Sequence, residues 1–197
     1  MKPTTRFEAA LTYATHLHRD QTRKGTDIPY VGHLLGVASL VIEDGGSEDE
    51  AIAGLLHDAV EDQGGAPRLE DIRTRFGEGV AAIVAGCTDA DTTPKPPWRQ
   101  RKEAYLAHLR EATADVLRVS AADKLYNARA ILADYRALGE ALWPRFSEER
   151  DEILWYYRSL VAIFLERGPA RLAGELARAV AELNRLTDES AASAPLA

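Results

Sequence analysis

Four residues in the stretch LLHDAVED, Leu55 to Asp62, can carry charge or bind a metal: His57, Asp58, Glu61 and Asp62. They interrupt a run that otherwise reads as core, namely Ala51, Ile52, Leu55, Leu56, Ala59 and Val60. On a continuous helix, residues four apart share a face, which would set His57 over Glu61 and Asp58 over Asp62. Carboxylates beside so much apolar surface are costly to desolvate unless they are paired or bound to a cation. The same mismatch recurs twice. His33 lies one turn into VGHLLGVASLV, and Asp123 lies among Val119, Ala121, Ala122 and Leu125. Either residue alone reads as an ordinary hydrogen-bonded group. Together with His57 and Asp58 they offer two imidazoles and two carboxylates, a mixed set that suits Mn2+ or Fe2+, and Mg2+ less well. A closed zinc site would use cysteines, and the only one, Cys87, sits among small apolar residues and reads as core. Open coordination positions leave room for water and substrate, which is a catalytic layout.

The elements that must position these groups are almost all helical. TRFEAALTYATHLHRD places Phe7, Ala10, Leu11, Ala14 and Leu17 at helical spacing. A loop with Gly25 and Pro29 follows, then a helix closed by Gly45-Gly46. Ser47 and Glu50 form a capping box that starts a helix expected to run unbroken through Asp62, with Gly64-Gly65 and Pro67 ending it. RLEDIRTRF and EGVAAIVAGCT read as two helices hinged at Gly77, and DADTTPKPPW as a proline-rich loop. Further helices follow, broken at Trp143-Pro144 and Gly168-Pro169. No strand alternation persists and no repeat appears, so the expected class is all-α. A single domain is expected over residues 1–186, with a small, polar and disordered tail over 187–197.

With 197 residues, 46% hydrophobic and 28% charged, the chain can build a sizeable core. A net charge of −7 argues against a general grip on nucleic acid. No apolar run approaches a membrane span and no signal-peptide core opens the chain, so a cytoplasmic location is expected.

The order His33, His57-Asp58, Asp123 resembles that of the HD-domain metal-dependent phosphohydrolases. Four blocks are similar in succession to the hydrolase domain of RelA/SpoT-type alarmone enzymes: HRDQTRKGTDIPYVGHLLGVASLV, AGLLHDAVED, LEDIRTRFGEGVAAIVAGCT and AADKLYNAR. The chain is too short for the synthetase and regulatory domains of the long enzymes, so it resembles the small alarmone hydrolases, of the metazoan SpoT-homologue kind. It departs from their pattern at Leu34, where proline is usual, at Gln63-Gly64, and in a loop between Lys24 and Pro29 that is one residue longer.

The resemblance implies Mn2+-dependent hydrolysis of guanosine 3′,5′-bis(diphosphate) and its pentaphosphate relative to GDP or GTP and pyrophosphate. Some members also remove the 2′-phosphate of NADPH. It implies His33, His57, Asp58 and Asp123 as metal ligands, and Glu61 and Asp62 as the pair that positions and activates the attacking water. Arg23 would stack on the base and Lys24 would face phosphate. Lys124 and Asn127 flank Asp123, with Asn127 on the nucleoside. Arg150 stands where the small hydrolases carry a phosphate-binding arginine, and Arg101 and Lys102 are weaker candidates for the outer phosphates. His16, His18 and His108 read as surface or packing residues, and Trp98, Trp143 and Trp155 as anchors. The expected partner is a small nucleotide. The competing enzyme reading is a phosphatase for NADPH or an adenosine alarmone. A nucleotide sensor without turnover would lack a ligand or an acid, and all six are present.

Overall fold

The computed structural model describes residues 2–89, 94 and 96–193. Within them the chain forms α1 (Thr5–Leu17), α2 (Val31–Glu43), α3 (Glu48–Leu56), α4 (Ala59–Asp62), α5 (Gly65–Phe76), α6 (Glu78–Cys87), α7 (Trp98–Glu111) and α8 (Ala114–Leu138). A 3-10 segment, Gly139–Arg145, leads to α9 (Arg150–Arg167) and α10 (Ala170–Ser193). Among the described residues, extended pairing is limited to one isolated bridge between Thr22 and Pro29. No helix of the described residues is long and apolar enough to cross a membrane.

Helix α8 is the spine. It packs against α2, α3, α6, α9, α10 and the 3-10 segment, and it buries Val119, Ala121, Ala122, Leu125 and Ala128. The helix-start signals act as the sequence suggests. Ser47 accepts from the Glu50 N–H while the Glu50 carboxylate accepts from the Ser47 N–H. Glu50 is itself buried, and Arg118 of α8 reaches both it and Asp44 at the end of α2. One guanidinium thus fixes how three helices meet, and the cap of α3 is tied to the spine. Gly77 has φ +93°, a left-handed value that suits glycine, and it turns α5 into α6.

Three expectations are corrected. The helix expected to run through to Asp62 breaks at His57-Asp58. The His57 ring hydrogen-bonds the Gly54 carbonyl through Nδ1 (2.9 Å), the carbonyl to which the Asp58 N–H would donate in an unbroken helix. Gly65 and Pro67, expected to lie in a break, open α5 instead, where a proline in the first turn removes no helical hydrogen bond. The tail expected from residue 187 onwards is helical through Ser193, with Thr187 buried and its hydroxyl bonded to the Asn184 carbonyl. Residues 194–197, and most of the proline-rich loop at 90–93 and 95, lie outside the described residues.

Contact between α2 and α8 leaves no room for a side chain at Gly36: a Cβ there would lie 2.0 Å from the Tyr126 ring. Gly36→Ala is expected to destabilise the fold by about 1–3 kcal/mol through overpacking, seen as a fall of several degrees in Tm. An unchanged Tm would mean that Tyr126 moves aside at no cost.

Candidate metal centre

His33 comes from the first turn of α2, His57 and Asp58 from the turn between α3 and α4, and Asp123 from the middle of α8. Neighbouring residues on a regular helix point about 100° apart and do not face one another. Here the two side chains nonetheless converge, and His57 Nε2 comes to 2.9 Å from Asp58 Oδ2. His33 Nε2 lies 3.2 Å from His57 Nε2, 3.4 Å from Asp58 Oδ2 and 3.3 Å from Asp123 Oδ1. Asp123 Oδ1 is also 3.6 Å from His57 Nε2. His33, His57 and Asp58 form a group whose ligand atoms all lie within 4.8 Å of one another, and Asp123 closes it from the spine.

The rings are aimed by their surroundings. The Nδ1 contact with the Gly54 carbonyl turns Nε2 of His57 toward the centre. His33 is gripped edge-to-face between Tyr30, Tyr126 and His57. The Tyr30 hydroxyl donates to Asp58 Oδ2 (2.6 Å), and burial with Asp58 alongside pushes its pKa up, so it stays a donor. Lys124 Nζ donates to Asp123 Oδ2 (2.7 Å) and Asn127 Nδ2 to Asp123 Oδ1 (2.6 Å). Burial opposes charge on His57, Asp58, Asp123 and Lys124, yet these groups sustain one another. Asp58 is held well below the carboxylate range by the two histidines, and Asp123 by Lys124 and the same rings. Lys124, which burial alone would lower, is carried well above its usual value by Asp123.

Two imidazole nitrogens 3.2 Å apart between two ionised carboxylates are close enough to share one cation. This donor set fits a divalent metal, with two nitrogens and two oxygens and the His57 tautomer fixed by its Gly54 contact. The proposed water-activating acids follow directly. Glu61 is half-buried on α4, and Asp62 is exposed and accepts from Gln21 Nε2 (2.8 Å). Gln21 in turn contacts Gln63 and His18.

A cavity of about 350 Å3 opens beside the centre, lined among others by Arg23, Lys24, Tyr126, Asn127, Arg145 and Tyr157. Arg23 donates to Asn127 Oδ1 (2.7 Å) and lies over the rings of Tyr30 and Tyr126. Arg23, Lys24 and Asn127 thus line one cavity. Arg150 does not join them. It pairs with Asp151 and Glu140 in a separate surface hollow. Arg101 and Lys102 both bind Asp89, and the Lys102 pKa is lowered by burial and by the nearby Lys124 charge. Trp98 packs edge-to-face on Trp155 and Tyr156, and Trp143 is buried, as anchors should be. His18, read as a packing residue, is buried and stacked on Tyr30.

Sequence reasoning missed Tyr30, Gln21 and Arg145. Tyr30 carried a signal, since it precedes His33 by three residues and so shares its helix face. Gln21 and Arg145 carried none.

The HD domain family pattern matches residues 10–147. Guanosine-3′,5′-bis(diphosphate) 3′-pyrophosphohydrolase MESH1 of Xenopus tropicalis is 39% identical over 123 residues; the match covers 61% of this chain and just under two thirds, 66%, of that protein's length. The Drosophila melanogaster protein of the same name is 32% identical over 162 residues, covering 81% of this chain and 84% of the relative. A solved structure described as a metazoan ortholog of SpoT that hydrolyzes ppGpp superposes with TM-score 0.77 at 26% identity, covering 93% of this chain and 98% of that one.

Burial lowers the His57 pKa, but Asp58 and Asp123 outweigh it and raise the value well above normal. In the metal-free fold, protonated His57 therefore contributes stability below the ordinary histidine value, and this is lost as pH rises through the raised one. The depressed Asp58 and Asp123 contribute stability above the ordinary carboxylate value, lost as pH falls through theirs. A metal needs Nε2 unprotonated, so loading should release about one proton. The Tm gain from added Mn2+ should then widen from about pH 6 to about pH 8. Calorimetry in buffers of different ionisation enthalpy, alongside thermal unfolding, reads both effects. A gain independent of pH would place the metal away from His57.

Proposed function

The chain belongs to the HD-domain family, and from that premise we propose that it is a metal-dependent hydrolase that removes the 3′-pyrophosphate of guanosine 3′,5′-bis(diphosphate) and of the corresponding pentaphosphate. The observation that carries the reading is the meeting of four ligand groups from three separate places in the chain, next to Tyr30 and Tyr126, which line a cavity with Arg23 and Asn127 on its wall. The relatives named above act on this substrate by name. Two imidazoles and two carboxylates favour Mn2+ over Mg2+.

His33, His57, Asp58 and Asp123 would hold the metal, which lowers the pKa of a water and screens phosphate charge. The protein residues do the rest. Glu61 takes the water's proton as the water oxygen bonds to the 3′-phosphorus. The bond from phosphorus to ribose O3′ then breaks, O3′ leaves with a proton, and pyrophosphate is released; one water is consumed. Asp62, held by Gln21, orients that water from the exposed side. Lys124 keeps Asp123 ionised. Arg23 stacks on the base, pre-positioned by Tyr30 and Tyr126, and Lys24 lies at the same cavity for a phosphate.

Pyrophosphate release from ppGpp with Mn2+, abolished by EDTA, tests the reading. The same assay on pppGpp, ppApp and NADPH separates it from the other phosphatase readings. Asp58→Asn should lose both metal and turnover. Glu61→Gln should keep stoichiometric metal while kcat falls by roughly 10²-fold or more, the loss expected for a general base. If Glu61→Gln loses the metal as well, Glu61 is a ligand and its role as base fails.

A further inference from the structure

The cavity beside the metal centre follows one face of α8. Its floor runs from Tyr126 and Asn127 over Ala130 and Ile131 to Asp134. From Asp123 to Asp134 the helix rises about 16 Å, a length that a purine nucleoside held by its 3′-phosphate can bridge with the help of side chains. The near part is aromatic and the middle is apolar. At the far end stands a charged pair, Asp134 and Arg145.

Arg145 closes the 3-10 segment. Its stem lies against the loop that carries Arg23 and Lys24. A Cβ on Gly25 would come within 3.3 Å of the Arg145 Cγ and Cδ, and Gly25 has φ +73°. Its Nη1 approaches Asp134 Oδ2 at 3.4 Å, long for a charge-assisted bond. The two groups stand side by side on the cavity lining, a carboxylate next to a guanidinium. A carboxylate offers two acceptors and a guanidinium two parallel donors. The guanine edge presents, in order, two donors (N2–H and N1–H) and two acceptors (O6 and N7). A carboxylate beside a guanidinium complements that order, and arginine paired to O6 and N7 is a standard guanine contact. Adenine would turn its N1 lone pair toward the carboxylate and its amino group toward the guanidinium.

On the strength of the proposed alarmone hydrolysis, we infer that Asp134 and Arg145 read the base edge and make this chain select guanine over adenine. Stacking by Arg23 supplies affinity without selectivity, and the pair at the far end supplies the selectivity.

The test is kcat/KM on ppGpp, ppApp and the inosine analogue ppIpp, for the full chain loaded with Mn2+. The wild type should favour ppGpp over ppApp. Asp134→Ala and Arg145→Ala should each lower kcat/KM for ppGpp by roughly 10- to 100-fold, the range for losing one bidentate base contact, mainly through KM, while ppApp changes little. Arg145→Lys, which keeps the charge and loses the fork, should recover only part. The inosine analogue lacks the N2 amino group, so Asp134→Ala should cost it less than it costs ppGpp. Unchanged Tm values keep the comparison free of unfolding. A wild type that turns over ppGpp and ppApp equally, or variants that weaken both substrates alike, overturns the inference and leaves the hydrolase reading standing. A wild type that releases pyrophosphate from none of the three overturns the hydrolase reading itself.

Discussion

Two imidazole nitrogens held 3.2 Å apart between ionised carboxylates, inside a helical core, are the constraint on which the rest of the structure depends. Each of these groups would be expelled by its own desolvation cost if it stood alone. They persist because each holds another in its charged or directed form: the histidines keep Asp58 low, Lys124 keeps Asp123 low, and Asp58 raises His57. The cluster is a set of mutual compensations with a cation's place at its middle. Removing one member leaves the others as unpaired buried charge, which is far more costly than the loss of a surface ion pair.

The surrounding helices serve that cluster by keeping three distant stretches of chain in fixed relation. Arg118 clamps α2 and α3 to α8 through Asp44 and Glu50. Gly54 brings α3 close to α2, since a Cβ on it would sit 3.2 Å from the Ala38 Cα. The same clamp that holds the capping box therefore ties α3, which leads to His57, to α8, which carries Asp123. Tyr126 fills the gap left by Gly36, touches His33 and forms a cavity wall. A packing residue of the spine is in this way also a wall of the site.

Charge is sorted by location. The chain as a whole carries −7, yet the cavity beside the centre carries Arg23, Lys24 and Arg145 against Asp134, and Lys102 and Lys124 stand close to one another behind Asp123. The cavity thus offers local positive potential on a molecule whose net charge repels polyanions in general. Such an arrangement suits a small phosphorylated ligand rather than a nucleic-acid backbone.

Much of this was legible from residues alone. Helices α1, α2, α7, α8 and α9 follow from apolar periodicity, the start of α3 from Ser47 and Glu50, and the turn into α6 from Gly77. The four metal-ligand candidates stood out because histidine and aspartate are out of place on apolar helix faces. These signals are local: they live within one helical turn, where the sequence directly encodes geometry. What only the tertiary structure decided involves residues far apart in the chain. A continuous helix through Asp62 was the natural reading, but the helix breaks at His57-Asp58, where the His57 ring bonds the Gly54 carbonyl and lies against Asp58. Tail composition suggested disorder, whereas α10 runs to Ser193 because it packs along α8 and α9 and buries Thr187. Arg150, at the position where the resemblance implies a phosphate contact, pairs with Glu140 and Asp151, while Arg145 lines the cavity. Which arginine lines the cavity depends on the path of the 3-10 segment over the spine, and that path is set by packing between elements rather than by the spacing of residues within them.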